Sequence, residues 1–197
     1  MSNNTTKRRA LTRETMGITD GLPLQASQGG IDELRQDIQR LMDMEAIKQV
    51  KHTYFRCIDT ANWEELRQIC HSDLAVHYVG GGYEFDLKGR EEFIGAMEMA
   101  FHSEAVGRHN GYMPEIQMLS DTEATGIWYL YDHFWSLNAN HLTHGTALYW
   151  DRYLKVDDRW VIKDTRYERL YQIDESLPEN PKFSSHYLAA HGKKLPA

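Results

Sequence analysis

The sequence predicts an α+β fold: a cone-shaped α+β barrel in which three N-terminal helices pack on a curved, mostly antiparallel sheet. Three observations carry this expectation. Apolar residues recur at helical spacing from Ile31 to about Thr60, and again over residues 62–70 and 90–101. A short hairpin separates the second and third of these helices, with Gly80-Gly81-Gly82 turning a strand over 74–79 into another over 83–87. Four longer strands then follow at about 108–119, 124–137, 142–156 and 159–172. The breaks between them are as short as Ser120-Asp121, Asn138-Ala139-Asn140 and Asp157-Asp158, which favours an antiparallel meander. A twisted meander with a long helix to bury curls around it.

Each element has its own signal. In the first helix Leu34, Ile38, Leu41, Ile47, Val50, Tyr54 and Ile58 read as one amphipathic stripe ending near Thr60-Ala61. Asn62 can cap the second, with Glu65 three residues on and Trp63, Leu66, Ile69 and Cys70 on its apolar side. Phe93, Ile94, Met97 and Phe101 give the third a one-sided stripe. Residues 1–29 are rich in Ser, Thr, Asn and Gly, and are expected to form a mobile arm or to pack on a neighbouring subunit. The barrel domain is expected to span 30–173. Residues 174–197, with Pro178, Pro181 and Lys193-Lys194, are expected to be an irregular tail.

Composition bounds the function. A chain of 197 residues, 41% hydrophobic, buries one core and needs no second domain. A net charge of -7, with basic residues scattered apart from Lys7-Arg8-Arg9, argues against nucleic acid as a partner. No stretch approaches the roughly 20 apolar residues of a membrane span, and the polar N-terminus lacks a secretory signal, so a cytoplasmic protein without membrane contact is expected. Cys57 and Cys70 show no CxxC spacing and read as thiols in a reducing compartment. His141 and His144 lack an acidic third ligand nearby in the sequence, so no metal is expected. The triple glycine lacks the spacing of a phosphate loop, and no cofactor is implied.

Asp132 is the residue that points to chemistry. It lies inside Ile127-Trp-Tyr-Leu-Tyr-Asp-His-Phe-Trp135, a strand-like run in which alternation puts Trp128, Leu130, Asp132 and Phe134 on one face. Ile127, Tyr129, Tyr131, His133 and Trp135 fall on the other. A buried carboxylate must be paired, hydrogen-bonded or protonated. His109 and Arg166 are the expected neighbours, and a purely structural ion pair with Arg152 or Arg166 is the bland alternative.

At this point the chain resembles a known group. The order helix, helix, hairpin, helix, four strands is similar to the SnoaL-like branch of the nuclear transport factor 2-like superfamily. The residues that carry the likeness are Asp59-Thr-Ala-Asn-Trp63, His109-Asn-Gly-Tyr-Met-Pro114 and Arg159-Trp-Val-Ile162 leading to Thr165-Arg166. It covers about residues 31–172. Within the branch the pattern Tyr, Asp, His, Asp, Arg looks closest to that of the bile acid 7α-dehydratases, and implies Tyr54, Asp59, His109, Asp132 and Arg166 as the site. The related dehydrochlorinases have a lysine where this chain has Tyr54, which makes halide elimination less favoured.

The chemistry follows from the residue types. Eliminating water beside a carbonyl needs a base for a carbon-bound proton and donors for the developing enolate and the leaving group. His109 is the expected base, since an unperturbed imidazole has a pKa of about 6.5, and Asp59 is expected to orient it. Tyr54 lies about 140° from Asp59 on an ideal helix, so both reach one pocket only if Asp59 ends the helix. Tyr54 would donate a hydrogen bond, and Asp132 would act as a second acid or position Arg166. Trp128, Leu130, Phe134 and Met113 are expected to contact a bulky apolar substrate with a carbonyl group, such as a steroid or polycyclic ketone. Three readings stand: a cofactor-independent dehydratase, an isomerase or cyclase using the same pocket, and a noncatalytic barrel that carries a ligand or resembles a dioxygenase small subunit. An aromatic outer face with Tyr129, Tyr131, Trp135, Tyr149 and Trp150 further predicts a homo-oligomer, a trimer before a dimer.

Overall fold

The computed structural model describes residues 10–25 and 29–195. After a one-turn helix α1 (Arg13–Met16), the chain forms α2 (Ile31–Asp59), α3 (Trp63–Ile69), β1 (Cys70–Val79), β2 (Glu84–Lys88) and α4 (Arg90–Ala100). Four long strands complete the sheet: β3 (Ala105–Met118), β4 (Glu123–Ser136), β5 (His141–Val156) and β6 (Arg159–Ser176). Their order is β2-β1-β6-β5-β4-β3. Only β1 and β6 pair in parallel; the other neighbours are antiparallel. The helices lie in the concave face, and one core runs from Ile47 and Leu66 through Trp128 and Tyr153 to Phe93 and Tyr149.

The long helix does not carry a single apolar stripe. Ile47, Val50, Tyr54 and Ile58 are buried against the sheet, whereas Leu34, Ile38 and Leu41 are 41–50% exposed. The step from Leu41 to Ile47 is six residues, a rotation of about 240°, so the apolar side changes face in mid-helix. Asn62 caps α3 only by position: its amide donates to Glu65 Oε2 at 2.8 Å and makes no cap hydrogen bond.

Burial alternates along β4 from Trp128 to His133, with Trp128, Leu130 and Asp132 buried within and Tyr129, Tyr131 and His133 half-buried outside. The outer face is partly covered by the chain's own N-terminal segment. Ile18 packs on Ile127 and Trp150, and the Leu22 N–H donates to the Met118 carbonyl at 2.7 Å. The expected exposed aromatic face is therefore smaller: Tyr149 points inward at 2% exposure and Trp150 is covered at 6%. The expected irregular tail contains a one-turn helix α5 (Tyr187–His191), whose Leu188 is buried, while Ser103 N–H donates to the Lys193 carbonyl at 3.0 Å. Among the described residues no helix is long and apolar enough to cross a membrane.

Candidate active site

Between the helices and the inner face of the sheet lies a partly open cavity of about 300 Å³, at the lower end of small-molecule sites. Its first wall is built where α2 ends on β3. Residues 107, 109 and 111 share the inner face of β3, and both neighbours of His109 on that face are glycines. A Cβ on Gly111 would lie 2.0 Å from the Phe55 ring, and one on Gly107 would lie 2.6 Å from the Phe101 ring. Their lack of side chains lets the helix approach the strand closely enough for its last residue to grip the histidine. Asp59 Oδ2 accepts the His109 backbone N–H at 3.0 Å, and Asp59 Oδ1 lies 2.6 Å from His109 Nδ1. A carboxylate only accepts, so Nδ1 carries the proton and Nε2 is left for a substrate. Phe55 stacks on the imidazole, with centroids 6.0 Å apart and an interplanar angle of 17°.

The second wall carries an ion pair. Asp132 is the register partner of His109 across β3 and β4, so the two side chains stand next to each other. Asp132 accepts hydrogen bonds from the two terminal guanidinium nitrogens of Arg169, at 2.5 and 2.7 Å, and both residues are buried. Burial works against the charged guanidinium, but the hydrogen bonds and charge of Asp132 raise its pKa. The expected partner was Arg166, and this is corrected. Along β6 Thr165, Tyr167 and Arg169 face inward, whereas Arg166 points out, is 47% exposed and lies 3.9 Å from Asp164. An odd offset in a strand puts a side chain on the wrong face.

Tyrosines complete the lining. Tyr54 OH lies 2.7 Å from Tyr78 OH, which is 3.3 Å from Thr165 Oγ1. Tyr149 packs edge-on against Tyr54, Tyr78 and Tyr167, and Tyr83 hydrogen-bonds to Tyr167. Burial pushes the phenols of Tyr54, Tyr78, Tyr149 and Tyr167 up, so they remain protonated donors at neutral pH. Leu130 and Phe134 line the cavity. Trp128 does not: it is fully buried and donates to Tyr153 OH at 3.0 Å. Met113 is 68% exposed, in a positive-φ conformation at an irregularity of β3, and lies away from the cavity.

Beneath the cavity floor lies a second buried ion pair that the sequence reading missed. Lys51 Nζ is 2.8 Å from Asp151 Oδ2, both side chains are fully buried, and Tyr153 OH donates to the same oxygen at 2.7 Å. The ammonium sits 3.6 Å from the Tyr149 ring centroid, and its pKa is lowered by burial despite Asp151. The two cysteines are buried, and burial pushes Cys57 up to about 11 and Cys70 up to about 12, so neither presents a ready thiolate. His141 and His144 do have acidic neighbours, supplied by β6: His144 Nε2 is 3.0 Å from Glu175 and His141 Nε2 is 3.4 Å from Asp174. No group of three or more metal-ligating side chains occurs among the described residues.

Residues 39–166 match the model of the SnoaL-like domain. The chain belongs to the SnoaL-like family. Solved structures similar to this SnoaL-like chain include a protein assigned as a scytalone dehydratase from Novosphingobium aromaticivorans, 21% identical with a TM-score of 0.62. That match covers 75% of this chain and 97% of the other. A type 2 hexachlorocyclohexane dehydrochlorinase is 17% identical with a TM-score of 0.65, covering 76% of this chain and 99% of that one. The type 3 dehydrochlorinase from Novosphingobium barchaimii is 17% identical, with a TM-score of 0.62 and coverage of 74% and 99%. At these identities the likeness is one of fold.

Proposed function

We propose that this SnoaL-like protein is a cofactor-independent lyase, a dehydratase that eliminates water from a hydroxylated carbonyl compound of steroid-like or polyketide-like shape. The observation that carries the reading is the doubly held His109. Asp59 fixes both the backbone and the ring of this one imidazole, and the nitrogen left over belongs to a largely apolar cavity. Such an imidazole can take a proton from carbon, with Asp59 stabilising the imidazolium that forms. The protonated phenol of Tyr54, in contact with Tyr78, supplies a donor for the developing enolate or the departing hydroxyl. Arg169, held in place by Asp132 beside His109, adds a fixed guanidinium to the same cavity, with its charge balanced by that carboxylate.

The dehydratase residue set of Tyr54, Asp59, His109 and Asp132 supports the reading; at its arginine, this chain offers Arg169 in place of Arg166. Scytalone dehydratase and dehydrochlorinase relatives of the same fold are consistent with an elimination. The test is a screen of hydroxylated steroid and polyketide ketones followed by mass spectrometry. Loss of one water, abolished in His109→Ala, is the expected result. A product of unchanged mass would replace the lyase by an isomerase or cyclase, and binding without turnover would replace it by a ligand carrier.

A further inference from the structure

The N-terminal half of α2 presents an apolar surface that the barrel does not use. Ile31, Leu34, Ile38, Leu41 and Met42 are between 41 and 62% exposed. Their 3-4-3 spacing gathers them on one side of the helix, opposite to the side that Ile47, Val50 and Tyr54 bury. This is the pattern of a helix that pairs with another helix, and it ends where Glu45 and Lys48 form an exposed ion pair one turn further on. The helix is held in place for such a role. Arg40 donates to the Pro23 carbonyl at 2.9 Å, and Gln25 N–H donates to Asp37 Oδ2 at 2.6 Å, tying the segment with Leu22 and Leu24 alongside it. Those two leucines are themselves 41 and 54% exposed.

We infer that this stripe is an interface with a second copy of the chain, in which two α2 helices pair antiparallel across their first three turns. Five half-exposed large side chains offer on the order of 500 Å² per copy, so a symmetric pair that covers them fully buries about 1,000 Å², the lower bound of a specific interface, before the flanking leucines are added. With Ile38 at the two-fold axis of an antiparallel pair, Leu34 of one copy lies beside Met42 of the second, so the exposed apolar side chains meet one another. Opposed helix dipoles favour the same arrangement.

The surface is separate from the outer face of the sheet, so its contribution to assembly can be read by itself. Light scattering coupled to gel filtration should show that Leu34→Glu/Ile38→Glu halves the mass of the wild-type particle, whatever that mass is, with circular dichroism unchanged. Because these positions are exposed, the variant keeps its fold; Met42→Lys is the milder second variant and should weaken the particle on dilution. Leu34→Cys mixed with Met42→Cys should give a disulfide-linked pair under mild oxidation, while each alone gives none. Cys57 and Cys70 are buried and do not compete. An unchanged mass in both stripe variants would overturn the inference. So would a monomeric wild type that sediments with phosphatidylglycerol vesicles through the same residues.

Discussion

Asp59 holds His109 at two points, accepting its backbone N–H at 3.0 Å and pairing with its Nδ1 at 2.6 Å. The helix end thereby sets both the position of the strand residue and the tautomer of its ring. Once a substrate is in hand, His109→Ala should abolish most turnover. Asp59→Asn should lower kcat by about 10³- to 10⁴-fold, since an amide can reverse the hydrogen bond and leaves the imidazolium unsupported. Tyr54→Phe should cost about 10- to 100-fold. Steady-state kinetics on the folded variants decide the matter, and near wild-type turnover in His109→Ala would remove the base from the scheme.

The ion pair of Asp132 and Arg169 makes a stability prediction that separates two arginines three residues apart. Arg169→Met leaves a buried carboxylate uncompensated and should destabilise the fold by about 3–5 kcal/mol. Arg166→Met, at the exposed side of the same strand, should stay within about 0.5 kcal/mol of the parent. Urea unfolding of the two variants measures both, and equal effects would contradict the assigned facing of β6.

A comparable test applies to Lys51 and Asp151 below the cavity floor. Lys51→Met should cost about 3–5 kcal/mol, because among the described residues the carboxylate then keeps only the Tyr153 hydroxyl as a side-chain hydrogen-bond donor. Adding Asp151→Asn removes the stranded charge and should recover a large part of the loss. A double variant as unstable as the sum of the two single changes would show that the residues do not act as a pair.

His133 provides a pH dependence. Its imidazole stacks on His144 with centroids 5.3 Å apart on the outer face of the sheet. Burial, then the charges of His144 and Arg108, hold its pKa below the ordinary value, with Asp132 opposing. The unfolded chain therefore binds this proton more readily than the folded one. The contribution to stability is present above the unfolded pKa of about 6.5 and is lost as pH falls toward the depressed folded value. Melting temperatures between pH 7.5 and 5.5 should drop less in His133→Gln than in the wild type, and parallel curves would exclude the effect.

Elements with strong local signals were legible: the helix periods of 93–101, the glycine hairpin, and the alternation of β4 that put Asp132 inside. The dyad of His109 and Asp59 was legible too, because a resemblance in residue pattern named both positions and the end of α2 brings them together. Arg169 was missed for a plain reason. Which of two arginines in one strand faces the cavity depends on its parity relative to a partner strand, and β6 carries register shifts that no local pattern displays. Tyr149, expected on the outer face, turns out to line the cavity with Tyr78 and Tyr167, because three strands bring these rings together.

The sequence by itself determined where the long helices and strands of residues 31–172 lie, and which residues along a strand share a face, because those depend on spacing along one chain. Even there the signal could mislead: the six-residue step after Leu41 was present in the sequence, yet only packing showed that the apolar side of the first half of α2 stays exposed while that of the second half is buried. The tertiary structure alone decided which charges meet. Asp132 finds Arg169, Asp151 finds Lys51 and Asp43 finds Lys155 and Trp160, all across more than 35 residues of chain. A carboxylate's partner is chosen by distance in space, and the desolvation cost of burying it unpaired makes that choice a property of the folded sheet and not of any segment in it.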